Sequence, residues 1–165
     1  MEENPPSSSE EIQRAEEPEF LTQTRFDEFD LPAAVVNGLH DAGFTNCTPI
    51  QAQTLPVSLT GRDVAGQAQT GTGKTAAFLV TLLTRLLGLS EEERRLPSAL
   101  IVTPTRELAR QIYEEAIILA RHTDLTMVQV VGGVDYGKQA DTLRQGVDII
   151  ICTPGRIIDY YKQKI

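Results

Sequence analysis

The stretch Gly66-Gln-Ala-Gln-Thr-Gly-Thr-Gly-Lys-Thr75 constrains this chain more than any other. Gly71, Gly73, Lys74 and Thr75 stand at the spacing of a phosphate-cradling loop. Asp63-Val64-Ala65 before them reads as a short apolar strand leading into the loop. Ala76-Ala77-Phe78-Leu79-Val80 after them runs into a helical pattern. Strand, glycine-rich loop and helix form the context in which backbone N–H groups and a helix dipole meet phosphates. Lys74 then supplies a point charge for the outer phosphates, and the Thr75 hydroxyl can ligate Mg²⁺. Ala68, Gln69, Thr70 and Thr72 complete the loop. The alternative is a Gly/Thr-rich turn without a ligand. Ala68 stands where the general pattern has Gly, which narrows the kind of loop.

A length of 165 residues suits one domain with its own core. No run of about 18 apolar residues occurs, so no membrane partner is expected. The polar N-terminus lacks a signal-peptide core, and Cys47 and Cys152 have no metal-ligand spacing. A reduced, cytoplasmic protein with buried thiols is the expectation. His40 and His122 read as surface residues.

The formal net charge of −8 argues against nucleic acid until its distribution is seen. Residues 1–30 hold ten acids and two bases, which leaves 13 acids and 13 bases in residues 31–165. The acidity belongs to a tail. Residues 1–24 are Pro/Ser/Glu-rich and are expected to be disordered, as a solvated tail or a partner-binding arm.

Residues 25–165 alternate between helix and strand patterns. A helix is predicted from Pro32 to Leu39, stopped by Gly43, and a second from Thr48 to about Leu59. Thr48 and Gln51 there have capping-box spacing. The helix after the loop should run to about Gly88. Ala99–Val102, Leu125–Val131 and Val147–Cys152 read as strands. An amphipathic helix after Arg106, a helix from Tyr136 to Gln145 and one after Arg156 lie between and beyond them. This order predicts an α/β fold, a parallel sheet with helices on both faces.

Two strand ends share one design. Leu100-Ile-Val-Thr-Pro-Thr-Arg106 and Ile150-Ile-Cys-Thr-Pro-Gly-Arg156 both run strand, Thr-Pro, small residue, Arg, helix. In a parallel sheet such ends lie on one edge, together with Gly132-Gly133 and the loop ending at Thr75. Helix-start N–H groups, hydroxyls, close-approaching glycine and arginine suit phosphates rather than base edges. Singly, each Thr reads as a cap, each Pro as a helix start and each Arg as solvated.

These stretches together resemble the first RecA-like domain of a DEAD-box ATP-dependent RNA helicase. Ala68-Gln-Thr-Gly-Thr-Gly-Lys-Thr75 is similar to motif I of that family. Gly43-Phe44 with Thr48-Pro49-Ile50-Gln51, and Phe26 seventeen residues before Gly43, resembles its Q motif. Pro104-Thr-Arg-Glu-Leu-Ala109 resembles motif Ia, Gly132-Gly133 the glycine pair and Thr153-Pro-Gly-Arg156 motif Ib. Gly137-Lys-Gln, Asp148 and Asp159-Tyr160 look most like a bacterial branch near the degradosome-associated helicases.

The resemblance implies a partial P-loop NTPase domain over residues 25–165, incomplete at its C-terminus, with ATP and Mg²⁺ as cofactors. Gln51 would pair with the adenine edge, Phe44 would stack on it, and Phe26 belongs to the same segment. Thr48 would tie that segment to the loop. Pro104, Thr105, Arg106, Gly132, Gly133, Thr153, Pro154, Gly155 and Arg156 would hold RNA by its backbone. A second RecA-like domain and an RNA-degradation complex are the implied partners. The family's Asp-Glu-Ala-Asp and Ser-Ala-Thr motifs do not occur within these 165 residues. Without the strand that carries the latter, the strand before the loop would be poorly paired. A polypeptide of these residues alone is therefore expected to bind nucleotide weakly without hydrolysing it at a useful rate, the alternative being a fragment that binds RNA backbone and scarcely binds ATP.

Overall fold

The computed structural model describes residues 21–90, 92–94 and 97–165. Three strands form a parallel sheet in the order β1–β3–β2: β1 (Ala99–Val102), β2 (Met127–Val130) and β3 (Ile149–Cys152). Leu100 and Val128 both align with Ile150. The central strand β3 reads Ile-Ile-Ile-Cys and is buried throughout. A parallel strand covered on both faces needs apolar side chains at every position, not at alternate ones.

Helices cover both faces, as the sequence predicts. Ile149 and Ile151 point into a core with Val35 and Leu39 of α1 (Ala33–Asp41), Leu79 and Leu83 of α3 (Lys74–Leu87), and Ile112 and Leu119 of α4 (Arg106–Leu119). Ile150 and Cys152 meet Val128, Val130, Ala140 of α5 (Tyr136–Gln145) and Tyr160 of α6 (Pro154–Lys162). Each fully buried Ile or Leu here contributes about 1.5–3 kcal/mol by leaving water. The carboxylate of Asp148 accepts from Thr126 N (2.7 Å) and Thr126 Oγ1 (2.8 Å), locking the start of β3 to that of β2.

Local signals place the helix ends. Gly43 has φ +75°, and Phe44 N donates to Leu39 O at 2.9 Å, closing α1. α2 (Pro49–Ser58) opens with Pro49 after Thr48. Ser58 Oγ and Thr81 Oγ1 are 2.7 Å apart, bonding α2 to α3. Gly38 lets α1 approach α4 closely, for a Cβ there would lie 2.1 Å from Leu119 O.

Two expectations need correction. Asp63-Val64-Ala65 forms no strand; residues 62–69 run without regular structure from α2 to the loop, exposed over 62–67. The outer edge of β1 is unpaired among the described residues, and Leu100 and Val102 are 56% and 55% exposed. A cleft of about 930 Å³ lies between β1, α3, α4 and that approach segment. A strand exists only by pairing, and among the described residues no strand pairs with Val64. The second correction concerns the tail. Residues 21–24 lie in the described part of the chain, and Cys47 N donates to Thr24 O at 2.8 Å, as Thr22 N does to Cys47 O. The expectation of disorder for residues 1–20 falls outside the described residues.

Candidate functional site

The loop between the approach segment and α3 depends on two glycines with positive φ, Gly71 (+79°) and Gly73 (+85°). Gly73 is also needed for space: a Cβ there would meet Gln51 Nε2 at 2.3 Å and Thr48 Oγ1 at 3.1 Å. Lys74 begins α3, and its ammonium donates to the carbonyls of Ala68 and Gln69. Thr72 Oγ1 donates to Gln69 O at 2.8 Å. The loop is folded around its own lysine, and a phosphate must compete with two carbonyls for that charge. Thr70 and Gly71 are exposed, and Thr75 is half-buried on the cleft beside β1. Its hydroxyl would offer a divalent cation one protein oxygen. Mg²⁺ commonly takes one or two from the protein and the rest from phosphates and water, so the donor set fits.

Gln51 braces this loop from α2. It is 2% exposed; its Oε1 accepts from Thr48 N at 2.8 Å and its Nε2 donates to Gly73 O at 3.0 Å. The predicted capping box is half made. Thr48 Oγ1 is buried without a hydrogen-bond partner among the described residues. The tie to the loop, expected from Thr48, is made by Gln51. An amide has two acceptor lone pairs and two N–H groups, so among the described residues Gln51 keeps one of each uncommitted. Phe26 is buried in the core at 3% exposure and packs against the half-buried Phe44, ring centroids 6.3 Å apart. Phe26 N donates to Thr45 O at 3.1 Å, which fixes that pairing.

The strand-end loops share the other site. Thr103 N donates to Cys152 O (2.8 Å) and Thr153 N to Val130 O (3.1 Å), so the three strand ends are stitched side by side. Pro104, Thr105, Arg106 and Thr153 line a cleft of about 310 Å³, with Glu107 on its wall. The two Thr-Pro repeats are not equivalent in structure. Thr103 is buried and its hydroxyl reaches Thr105 O and Cys152 O; the cap of α4 is Thr105, whose Oγ1 accepts from Leu108 N at 3.2 Å. In the second copy Thr153 itself precedes the helix and Pro154 is its first residue. Gly155 and Pro154 are exposed.

Both arginines lie on shelves that the sequence did not reveal. A Cβ on Gly133 (φ +81°) would stand 2.4 Å from Arg106 Nη1, and one on Gly132 3.7 Å from Nη2. The glycine pair makes room for the Arg106 guanidinium. Arg156 Cζ lies 5.0 Å from the Tyr136 ring centre and 5.7 Å from that of Tyr160. Burial, then the charge of Asp159, pushes the Tyr136 phenol above its ordinary pKa. The spacing Arg156–Tyr160 was the one available signal, since residues four apart share a helix face; Tyr136 is remote in sequence.

A glycine loop braced by a glutamine and two shelved arginines on neighbouring strand ends stand on one chain. Residues 48–165 match the family model described as DEAD/DEAH box helicase. The chain belongs to the DEAD/DEAH box helicase family. This DEAD/DEAH box chain is 58% identical over 146 residues to the ATP-dependent RNA helicase RhlB of Xanthomonas oryzae pv. oryzae, covering 87% of the chain and 25% of the relative. It is 52% identical to RhlB of Pseudoalteromonas atlantica and 51% to RhlB of Vibrio atlanticus, covering 88% of the chain and 34% of each relative. The chain thus spans a quarter to a third of the length of these curated relatives.

Other titratable groups of the DEAD/DEAH box chain serve the fold. Burial raises the Cys47 thiol to about 11 and pushes Cys152 up as well, so neither is a poised nucleophile. The hydrogen bond from His122 to Asp41 (2.9 Å) holds that carboxyl below its ordinary pKa and pins α1 to the turn after α4. No helix among the described residues is long and apolar enough to cross a membrane.

Proposed function

We propose that this chain is the ATP-binding and RNA-backbone-binding part of an ATP-dependent RNA helicase that unwinds or remodels RNA duplexes. The observation that carries this is the Gln51–Gly73–Lys74 arrangement, in which the Gln51 amide is bonded to the glycine that precedes Lys74. Ala68, Gln69, Thr70, Gly71, Thr72 and Gly73 would surround the phosphates, Lys74 would bind the outer ones, and Thr75 would hold Mg²⁺. The metal would offset charge on the phosphates. Gln51 would use its spare lone pair and N–H on adenine, with Phe44 as the ring beside it. RNA would lie along Pro104, Thr105, Arg106, Gly132, Gly133, Thr153, Pro154, Gly155 and Arg156. These groups bind phosphate and carry no sequence readout, which suits an enzyme that must act on any duplex.

In the whole protein a second RecA-like domain would close over the nucleotide. The cytoplasmic location proposed rests on the two buried thiols, and an RNA-degradation complex as partner on the bacterial branch that residues 137–160 resemble. A polypeptide of these 165 residues would bind without useful turnover. Phosphoryl transfer draws on a metal-holding acid, a water-positioning base and an arginine finger worth about 10³–10⁵ in rate. Glu107 and Asp135 are acids in the strand-end loops; Glu107 sits in the first turn of α4 and Asp135 caps α5 through Lys138 N at 3.1 Å. Phosphate release measured with saturating RNA should be the same for the wild-type chain and Lys74→Ala. RNA-stimulated release that Lys74→Ala abolishes would refute binding without turnover.

A further inference from the structure

Arg156 rests on two aromatic rings that are themselves fixed. Tyr160 is fully buried, and its hydroxyl donates to Tyr136 O at 2.7 Å. The two rings are 4.6 Å apart at 52°. Tyr160 stands one turn after Arg156 on α6, and Tyr136 opens α5, so the shelf spans two helices. Among the described residues no carboxylate ion pair holds the Arg156 guanidinium, whose one side-chain hydrogen bond runs from Nη1 to Tyr160 OH at a long 3.5 Å. We propose that Tyr136 and Tyr160 are positioning residues that hold the Arg156 guanidinium ready for an RNA phosphate. This rests on the proposal that Arg156 binds RNA phosphate. A ring touches the face of a guanidinium and leaves the in-plane N–H fork free, whereas a carboxylate would occupy the fork itself. Stacking also removes side-chain freedom before RNA arrives, and preorganisation of that kind raises affinity without a new contact. Lysine, a point charge without a planar face, cannot use the shelf in this way.

The test is a double-mutant cycle read by anisotropy of a fluorescein-labelled oligouridine over a series of salt concentrations. Arg156→Gln should weaken binding and flatten the salt slope by about 0.7, the value for one phosphate contact on a single strand. Tyr136→Leu should weaken binding about three- to tenfold, and Tyr136→Phe, which keeps the ring, should bind like wild type. Adding Tyr136→Leu to Arg156→Gln should cost nothing further, which a merely structural role of Tyr136 would not produce. Equal losses from Tyr136→Leu in both backgrounds, or no loss while Arg156→Gln weakens binding, would overturn the shelf. An Arg156→Gln chain with wild-type affinity and slope would instead remove the phosphate role of Arg156, and the shelf with it. Should circular dichroism show Tyr136→Leu unfolded, proton NMR of the wild type decides. Arg156 side-chain resonances shifted upfield by ring currents support the shelf, and random-coil positions overturn it.

Discussion

Gln51 carries two jobs at one position. Its amide satisfies Thr48 N at the start of α2 and reaches Gly73 O at the start of α3. Removing it leaves a buried N–H without a partner, a loss of about 1–3 kcal/mol. Gln51→Ala should therefore lower the melting temperature by several degrees and also erase the preference for ATP over GTP in a binding titration. A lower melting temperature with the base preference intact would reduce Gln51 to a brace. The sequence shows Thr48 and Gln51 at capping distance, and half of that box forms. It could not show that Thr48 Oγ1 finds no partner among the described residues, because the space beside that hydroxyl is set by Gly73, 25 residues on. The arginine shelves are hidden for the same reason. Gly132 and Gly133 read as a close-approaching pair, and what approaches closely is the chain's own Arg106.

Elements were legible where the signal is local. Ala99–Val102 is a strand because an apolar run sits between Pro97 and Thr103-Pro104, and α5 spans Tyr136 to Gln145 as its polar–apolar period implies. Asp63–Ala65 has a similar apolar run but no strand beside it, so pattern alone failed there. The Thr-Pro repeats looked alike and begin their helices two residues apart, since Thr103 spends its hydroxyl on the loop and passes the cap to Thr105. The contact between α1 and α4 makes a sharp prediction. Alanine in place of a helical glycine ordinarily gains about 1 kcal/mol. At Gly38 the added methyl carbon would lie 2.1 Å from a backbone oxygen that no rotamer change can move. Overpacking costs about 1–3 kcal/mol or more, so the clash wins. Gly38→Ala should melt at a lower temperature than wild type; an equal or higher melting point would mean that α1 and α4 do not pack as described.

On the scale of the molecule, charge and surface divide the chain. Acids dominate residues 1–30, while residues 31–165 are balanced and carry Arg106 and Arg156 at neighbouring strand ends. The sheet is buried on both faces at β3 and open along β1, where Leu100 and Val102 are exposed and Leu100 and Thr75 line the 930 Å³ cleft. The α/β class, the parallel sheet and the two helical layers were readable from the alternation of patterns. The open side of β1 was not, because it depends on what pairs with an edge rather than on the edge's own residues. The nucleotide site proposed for this chain turns on Lys74 being released from Ala68 O and Gln69 O to a triphosphate. The most direct measurement is an isothermal titration of ATP with Mg²⁺ into the wild-type chain and into Lys74→Ala. A hydrogen bond to a charged group is worth about 1.5–3 kcal/mol, so the variant should bind about ten- to a hundredfold more weakly. Equal affinity in the two chains would contradict a phosphate-binding role for Lys74 and, with it, the nucleotide site.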